Sequence, residues 1–211
     1  MRLEGFPRTI HLRDGLTLSV RPTGEGDEAA LLDFYRGLPQ EDRLFLKDDV
    51  TTESWAERFI RRIGRGEATS LIAELDGKVL AEATLYRATH GWSTHVGELR
   101  VAHGWSTHVG ELRVAVARAY RRKGLATALA GLLVRLATDQ GVDKFIVEVV
   151  ENQVGALRTF EKLGFHKEAV LRDHVNDRSG MRRDLLILAN DVSHIWAAME
   201  ALVADAPPEV G

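Results

Sequence analysis

A predicted β-strand that runs through a short basic turn into a long amphipathic helix is the feature that most constrains how this chain folds. Apolar side chains alternate along residues 111–116, which predicts a strand with Leu112, Val114 and Val116 on one face. Leucines at helical spacing predict a helix from about Gly124 to Gln140. The turn between them reads ARAYRRK, so three arginines and a lysine precede the helix. This order predicts an α/β fold with the basic turn at one end of a sheet.

Strand and helix patterns alternate along the rest of the chain. No linker-like stretch divides them, so we predict a single domain over residues 1–211. Asp-Gly pairs at 14–15 and 76–77 are typical of tight hairpin turns. Asp27 and either Thr51 or Thr52 precede apolar helical patterns and are predicted to cap helices. The other predicted elements are strands at 70–75, 79–87, 144–150, 165–175 and 184–190, and helices at 152–163 and about 192–204.

Residues 90–102 and 103–115 have the same sequence, HGWSTHVGELRVA. Only the second copy is joined directly to the basic turn, so we expect it to supply the strand. The first copy then becomes a 13-residue insert between two neighbouring strands, which costs little loop entropy. The insert can loop out, extend the hairpin or pair with another chain as a homodimer. Its histidines predict no metal site, because no carboxylate or cysteine completes a ligand set at the right spacing.

Composition limits the classes of function. A hydrophobic fraction of 45% and a charged fraction of 28% are ordinary for a soluble globular protein. The chain has no cysteine, which excludes disulfides and thiolate zinc sites. We see no signal-peptide pattern and expect a cytoplasmic protein. A net charge of −3 gives no general reason to bind nucleic acid or an anionic membrane.

The basic turn has the physical properties of an anion site. The first N–H groups of a helix have no partner within the helix, and its dipole is positive at that end. Arg121, Arg122 and Lys123 add positive charge, and Gly124 has no Cβ to obstruct a close ligand. A pyrophosphate would fit this description. A capped helix with solvated arginines is the alternative interpretation.

Two motifs resemble those of the GNAT superfamily of N-acyltransferases. Arg121-x-x-Gly124-x-Ala126 resembles its acyl-CoA pyrophosphate loop, Q/R-x-x-G-x-G/A. A later segment resembles the family pattern N-x3-A-x3-Y-x3-G-F through Asn152, Ala156, Phe160, Gly164 and Phe165. The resemblance covers about residues 10–191. It implies a GNAT-like α/β fold: a mixed central sheet of about seven strands, helices on both faces, and a splayed central strand pair.

The resemblance also implies acetyl-CoA as the co-substrate, with no metal. The strand residues Val114, Ala115 and Val116 would lie along the pantetheine arm. Asn152 and Phe160 would lie near the same arm or the substrate. The turn and the first turn of the helix would bind the pyrophosphate through Arg121, Arg122, Lys123, Gly124, Leu125, Ala126 and Thr127.

The implied reaction is acetyl transfer to a primary amine by direct attack in a ternary complex. Glu111 is the predicted base, acting directly or through water, and the Val116 N–H is the predicted donor to the developing oxyanion. A strand-end carboxylate paired with Arg113 is the alternative role for Glu111, and its duplicate Glu98 is the alternative base. Phe160 stands where the family has a tyrosine, so no phenol is available there to protonate the leaving thiolate.

Two other classes of function remain open at this stage. The absence of the tyrosine favours a non-catalytic acyl-CoA-binding or regulatory domain, and the insert favours a self-assembling variant. The amine acceptor is not readable and can be a small molecule, a protein lysine or an N-terminus. The acidic residues Glu41, Asp42, Asp48 and Asp49 would either attract a cationic acceptor or lie solvated at a helix end.

Deleting residues 90–102 tests the insert directly, because it leaves one intact copy of the repeat. We expect the fold to survive, and either the molar mass measured by light scattering or the turnover to change. An unchanged mass together with an unchanged turnover would contradict a role for the insert.

Overall fold

The structure is a computed structural model that describes residues 5–43, 46, 48–87, 109–176 and 180–191, apart from the side chain of Arg87. Within these ranges eight strands form one sheet in the order β1-β2-β3-β4-β5-β6-β8-β7. The strands are β1 (Arg8–His11), β2 (Thr17–Pro22), β3 (Ala68–Leu75), β4 (Lys78–Arg87), β5 (Val109–Val116), β6 (Lys144–Val150), β7 (His166–Asn176) and β8 (Arg182–Asp191). The helices are α1 (Glu28–Arg36), α2 (Gln40–Arg43), α3 (Glu53–Gly64), α4 (Leu125–Thr138) and α5 (Val154–Lys162).

One strand pair makes the sheet mixed. Neighbouring strands are antiparallel, except β5 and β6, which run parallel. That parallel pair is joined by only three residue pairs, Val109–Lys144, Gly110–Phe145 and Glu111–Ile146. The predicted fold class is therefore confirmed, including the splayed central pair, with eight strands where about seven were expected.

Helices cover both faces of the sheet. On one face α4 packs over the central strands, and Leu112 of β5 lies in the same buried cluster as Leu129 and Leu133. On the other face α1 and α3 form a second buried cluster, against which Ala115 packs. The alternation predicted along β5 is thus observed. Burying an aliphatic side chain in such a cluster stabilises the fold by about 1.5–3 kcal/mol.

The predicted helix caps behave differently from one another. Thr52 caps α3 by accepting a hydrogen bond from the Trp55 N–H at 3.3 Å, as expected. Asp27 occupies the N-cap position of α1 but makes no cap bond to the helix. Its carboxylate instead pairs with Arg21 at 2.8 and 2.9 Å and accepts from the Gly24 N–H. A guanidinium is a stronger partner for a carboxylate than a neutral amide, which explains the exchange.

The two Asp-Gly pairs also differ. Asp76 and Gly77 both have positive φ and join β3 to β4 through a two-residue turn, as predicted. At the first pair only Gly15 has positive φ, and the residues from Leu12 to Leu16 connect β1 to β2. The two-residue turn predicted there is wrong. Leu12 is buried and its N–H donates to Leu16 O at 2.8 Å, so the chain turns over a longer path.

The second copy of the repeat supplies the central strand, since its residues 109–115 lie in β5. The conformation of the first copy and the helix predicted at about 192–204 lie outside the described residues. None of the helices in the described part of the chain has the length and apolar character needed to cross a bilayer.

Gly110 of β5 lies in close contact with buried side chains. A Cβ at this position would lie 2.7 Å from Leu85 Cδ1 and 3.2 Å from Val142 Cγ1. Both neighbours are fully buried, with exposures of 0% and 1%, so neither can move aside freely.

We expect Gly110→Ala to lower the free energy of unfolding by about 1–3 kcal/mol through overpacking. Gly155→Ala is the matched control, because this α5 glycine has open space around it and alanine favours helix. Urea denaturation should separate the two variants. Equal stability of both would show that the close approach at Gly110 has no energetic weight.

Candidate functional site

A gap opens in the sheet where β5 leaves β6. Past Glu111 no residue pair joins the two strands within the described range 109–150, while β6 stays paired with β8 as far as Val150. The other edge of β5 remains paired with β4 up to Val116. The second half of β5 therefore has one backbone edge bonded and the other facing the gap.

The register of β4 and β5 determines which backbone groups face that gap. Ala117 N–H donates to Leu80 O at 2.9 Å, so Ala81 and Val116 form a non-hydrogen-bonded pair. The N–H groups of Val116 and, two residues earlier, Val114 consequently point away from β4. Ala115, between them, directs its backbone toward β4. Two of the three strand residues predicted to line the cofactor thus present backbone groups to the gap.

Eight residues connect the end of β5 to the N-terminus of α4. Arg122 and Gly124 have positive φ values of 63° and 90°, which turn the chain sharply into the helix. Gly124 is the N-cap and provides no side-chain cap, so the first N–H groups of α4 are not bonded by the residue that precedes them. A side chain at residue 124 would be strained at this φ. The predicted pyrophosphate residues 121–127 lie together in this short stretch.

Carboxylates contact three of the four cations in the turn. Lys123 Nζ lies 2.7 Å from Asp14, Arg121 lies 2.6 Å from Asp42, and Arg118 lies 3.6 Å from Glu41. The Lys123 ammonium holds the pKa of Asp14 below its usual range.

The acidic residues before α3 were expected to attract a cationic acceptor or to lie solvated. Glu41 and Asp48 are exposed, in agreement with the solvated interpretation, but Glu41, Asp42 and Asp48 are each also paired with an arginine of β5 or the turn. Attraction of a cationic acceptor stays a prediction. Asp49 accepts a hydrogen bond from the Thr51 hydroxyl at 2.6 Å. The first three pairs each join residues more than sixty positions apart, so local sequence could not reveal them.

Glu111 lies at the last paired position before the gap. Its Oε1 accepts from Arg113 Nε at 2.8 Å, as one of the sequence interpretations expected, and its side chain is 21% exposed. Arg113 also contacts Asp48 at 3.3 Å and lies over the Tyr86 ring at 4.5 Å. Burial lowers the pKa of Arg113, but Glu111 outweighs it and raises that pKa above its usual value. Arg113 thus stays charged and holds the Glu111 carboxylate in one orientation.

A second carboxylate, Glu82 on β4, was missed by sequence reasoning. It is 2% exposed and accepts hydrogen bonds from the hydroxyls of Tyr35 at 2.8 Å, Ser70 at 2.6 Å and Thr84. Burial raises the pKa of Glu82, against the opposing effect of these hydroxyls. The signal that could have found it is a glutamate inside the apolar run Val79–Leu85.

The second resemblance motif divides between surface and core. Asn152 is exposed in the turn after β6. Phe160 is 7% exposed and packs edge-to-face on Phe165 at a centroid distance of 5.4 Å. An apolar ring suits that environment, and contact of either residue with a cofactor stays a prediction. Within the described ranges no three histidine or acidic side chains are grouped to hold a metal ion.

The family model described as "Acetyltransferase (GNAT) family" matches residues 30–165. The GNAT domain of S. lividans PAT has a TM-score of 0.70 and 21% identity over 90% of this chain and 99% of its own. Ribosomal-protein-alanine N-acetyltransferase from Brucella melitensis has a TM-score of 0.65 and 21% identity, covering 82% of this chain and 98% of its own. Ribosomal-protein-S18-alanine N-acetyltransferase from Escherichia coli has a TM-score of 0.61 and 19% identity, covering 83% and 94%.

No curated protein sequence matches the chain significantly. At identities this low, the similarity to the three structures shows a shared fold and no more. The family model covers well over half of the chain and includes the gap, the basic turn and α4. The chain therefore belongs to the GNAT family and is an acetyltransferase.

Proposed function

We propose that this protein transfers the acetyl group of acetyl-CoA to a primary amine, which attacks directly in a ternary complex. The observation that carries the proposal is the open edge of β5, with the uncapped N-terminus of α4 beginning nine residues beyond the end of that strand. Peptide groups facing the gap suit an amide-rich arm, and the helix terminus suits a pyrophosphate. One ligand that has both parts, in this order, is an acyl-CoA.

The residues present fit such a ligand. Val114 and Val116 offer backbone groups along the gap, and Gly124 leaves room beside the helix terminus. Arg122 projects from the same turn, and no ion-pair partner for it lies among the described residues. When bound, acetyl-CoA supplies a thioester whose carbonyl carbon is open to attack by an amine.

Glu111 is the proposed base, because it stands where the gap begins and a carboxylate can take a proton from the attacking ammonium. Its pairing with Arg113 holds the carboxylate in one orientation at that point. The Val116 N–H, which points away from β4, is the proposed donor to the oxygen on which negative charge develops. The duplicate Glu98 lies outside the described residues.

We leave the acceptor at the level of a primary amine and propose two classes for screening. Two of the similar structures are ribosomal-protein-alanine N-acetyltransferases, so peptides with an N-terminal alanine are one class. Small amines are the other. A cytoplasmic location accords with a cysteine-free acetyltransferase and stays a prediction.

A non-catalytic acyl-CoA-binding domain is the second candidate, and Phe160 favours it. Its ring is held in the core, so the motif places no phenol in the gap to protonate a leaving thiolate. Catalysis then requires the thiolate to leave unassisted or to take a proton from water.

We expect acetyl-CoA to raise the melting temperature of the protein, because it binds the folded state alone. Release of free thiol on adding an amine acceptor separates the two candidates, since a binding domain would show the thermal shift without the release. No shift at millimolar acetyl-CoA would contradict both.

Glu111→Gln should lower kcat by about 10²–10⁴-fold if Glu111 is the base. Asp48→Asn is the matched control, because it also removes a carboxylate from Arg113 but leaves Glu111 in place. Steady-state kinetics across pH should show the large loss in the first variant only. Similar small losses in both would indicate that Glu111 merely pairs with Arg113.

A further inference from the structure

The cationic turn between β5 and α4 is largely neutralised by carboxylates from elsewhere in the chain. Its four cations are Arg118, Arg121, Arg122 and Lys123. Three of them pair with Glu41, Asp42 and Asp14, as described above. The formal charge of the turn falls from +4 to +1 when these carboxylates are included. An external anion that binds here would compete with these carboxylates for the same cations.

The exchange centres on Arg121, whose three nitrogens all have partners. Nη2 donates to Asp42 Oδ2 at 2.6 Å and Nη1 donates to Asp42 Oδ1 at 3.2 Å. Nε donates to Val116 O at 3.0 Å. The Asp42 carboxylate therefore holds the end of the guanidinium that would otherwise grip two oxygens of a phosphate.

The pair is placed where solvent and ligand can reach it. The Arg121 side chain is 38% exposed and the Asp42 side chain 25% exposed, so neither is locked in the core. Exposed ion pairs are individually weak, and a charged ligand can displace one. A pyrophosphate at the α4 terminus would also repel a carboxylate that remained beside Arg121.

We propose that Asp42 is an internal competitor for the pyrophosphate of acyl-CoA, so that the cofactor binds by replacing Asp42 on Arg121. The inference rests on the proposed function, since it assigns the pyrophosphate to this turn. It gives α2 a role in regulating the site. Asp42 and Glu41 of α2 pair with Arg121 and Arg118 of the turn, and a bound pyrophosphate would displace Asp42 from Arg121. Asp48, six residues beyond Asp42, contacts Arg113, the arginine that pairs with Glu111. The same segment of chain is therefore connected to the proposed base, through Arg113, as well as to the turn.

Asp42→Asn is the variant that tests the proposal, with coenzyme A as the probe in isothermal titration calorimetry. Asparagine keeps the shape of the side chain and removes its charge. We expect coenzyme A to bind up to about fivefold more tightly than to the wild-type protein, the most that a weak ion pair of about 1 kcal/mol can oppose. Glu25→Gln is the charge-matched control, because Glu25 is exposed and makes no ion pair with the turn among the described residues.

A double-mutant cycle shows whether the effect passes through Arg121. In an Arg121→Gln background, Asp42→Asn should leave the affinity for coenzyme A unchanged. Pantetheine, which lacks the pyrophosphate, should bind wild type and Asp42→Asn equally. Thermal unfolding of each variant verifies that the fold is intact.

The outcomes separate this inference from the proposed function. Competition is supported if Asp42→Asn binds coenzyme A more tightly than wild type and this gain disappears in the Arg121→Gln background. Measurable binding by Asp42→Asn with none by wild type would be the strongest support. Equal or weaker binding by Asp42→Asn overturns competition while the proposed function stands. Absence of binding by the wild type and by every variant contradicts both.

Discussion

The site depends on a difference between the two edges of β5. Toward β4 the strand is paired along seven residues, whereas toward β6 it is paired along three. Peptide groups bonded on one edge and open on the other form a rigid row of donors and acceptors, because the bonded edge fixes the orientation of the open one. Helices α4 and α5 on one face, and α1 and α3 on the other, support the strand at the point where its second neighbour leaves.

Ion pairs lie at the start of the gap between β5 and β6 and in the basic turn that follows β5. Three of the four cations of the turn, and Arg113 of β5, are paired with carboxylates from the β1–β2 connection and from the segment between α1 and α3. Arg113, Arg121 and Lys123 thereby connect the two ends of the gap to elements distant in sequence. A ligand that altered one of these contacts would change the charge felt by its neighbours.

Much of the architecture could be predicted because it depends on local sequence patterns. The hairpin at Asp76-Gly77, the cap at Thr52 and the alternation along β5 follow from backbone preference and periodicity, and the structure confirms them. The cap predicted at Asp27 is wrong because Arg21 competes for the same carboxylate. The burial of Glu82 and the Asp42–Arg121 pair could not be predicted, since both depend on tertiary contacts across many residues. The motif Arg121-x-x-Gly124-x-Ala126 located the turn, yet it could not reveal that the chain already neutralises it.

The repeat has a consequence for how the sheet assembles. Residues 96–102 are identical to residues 109–115, so during folding β4 meets two stretches with the same side chains and the same preferred register. Side-chain contacts cannot distinguish them. The choice is made by chain connectivity, because only the second stretch ends six residues before Arg121 and is followed directly by the turn and α4. This protein therefore carries a second copy of most of its central-strand sequence, and chain connectivity alone marks which copy lies beside β4.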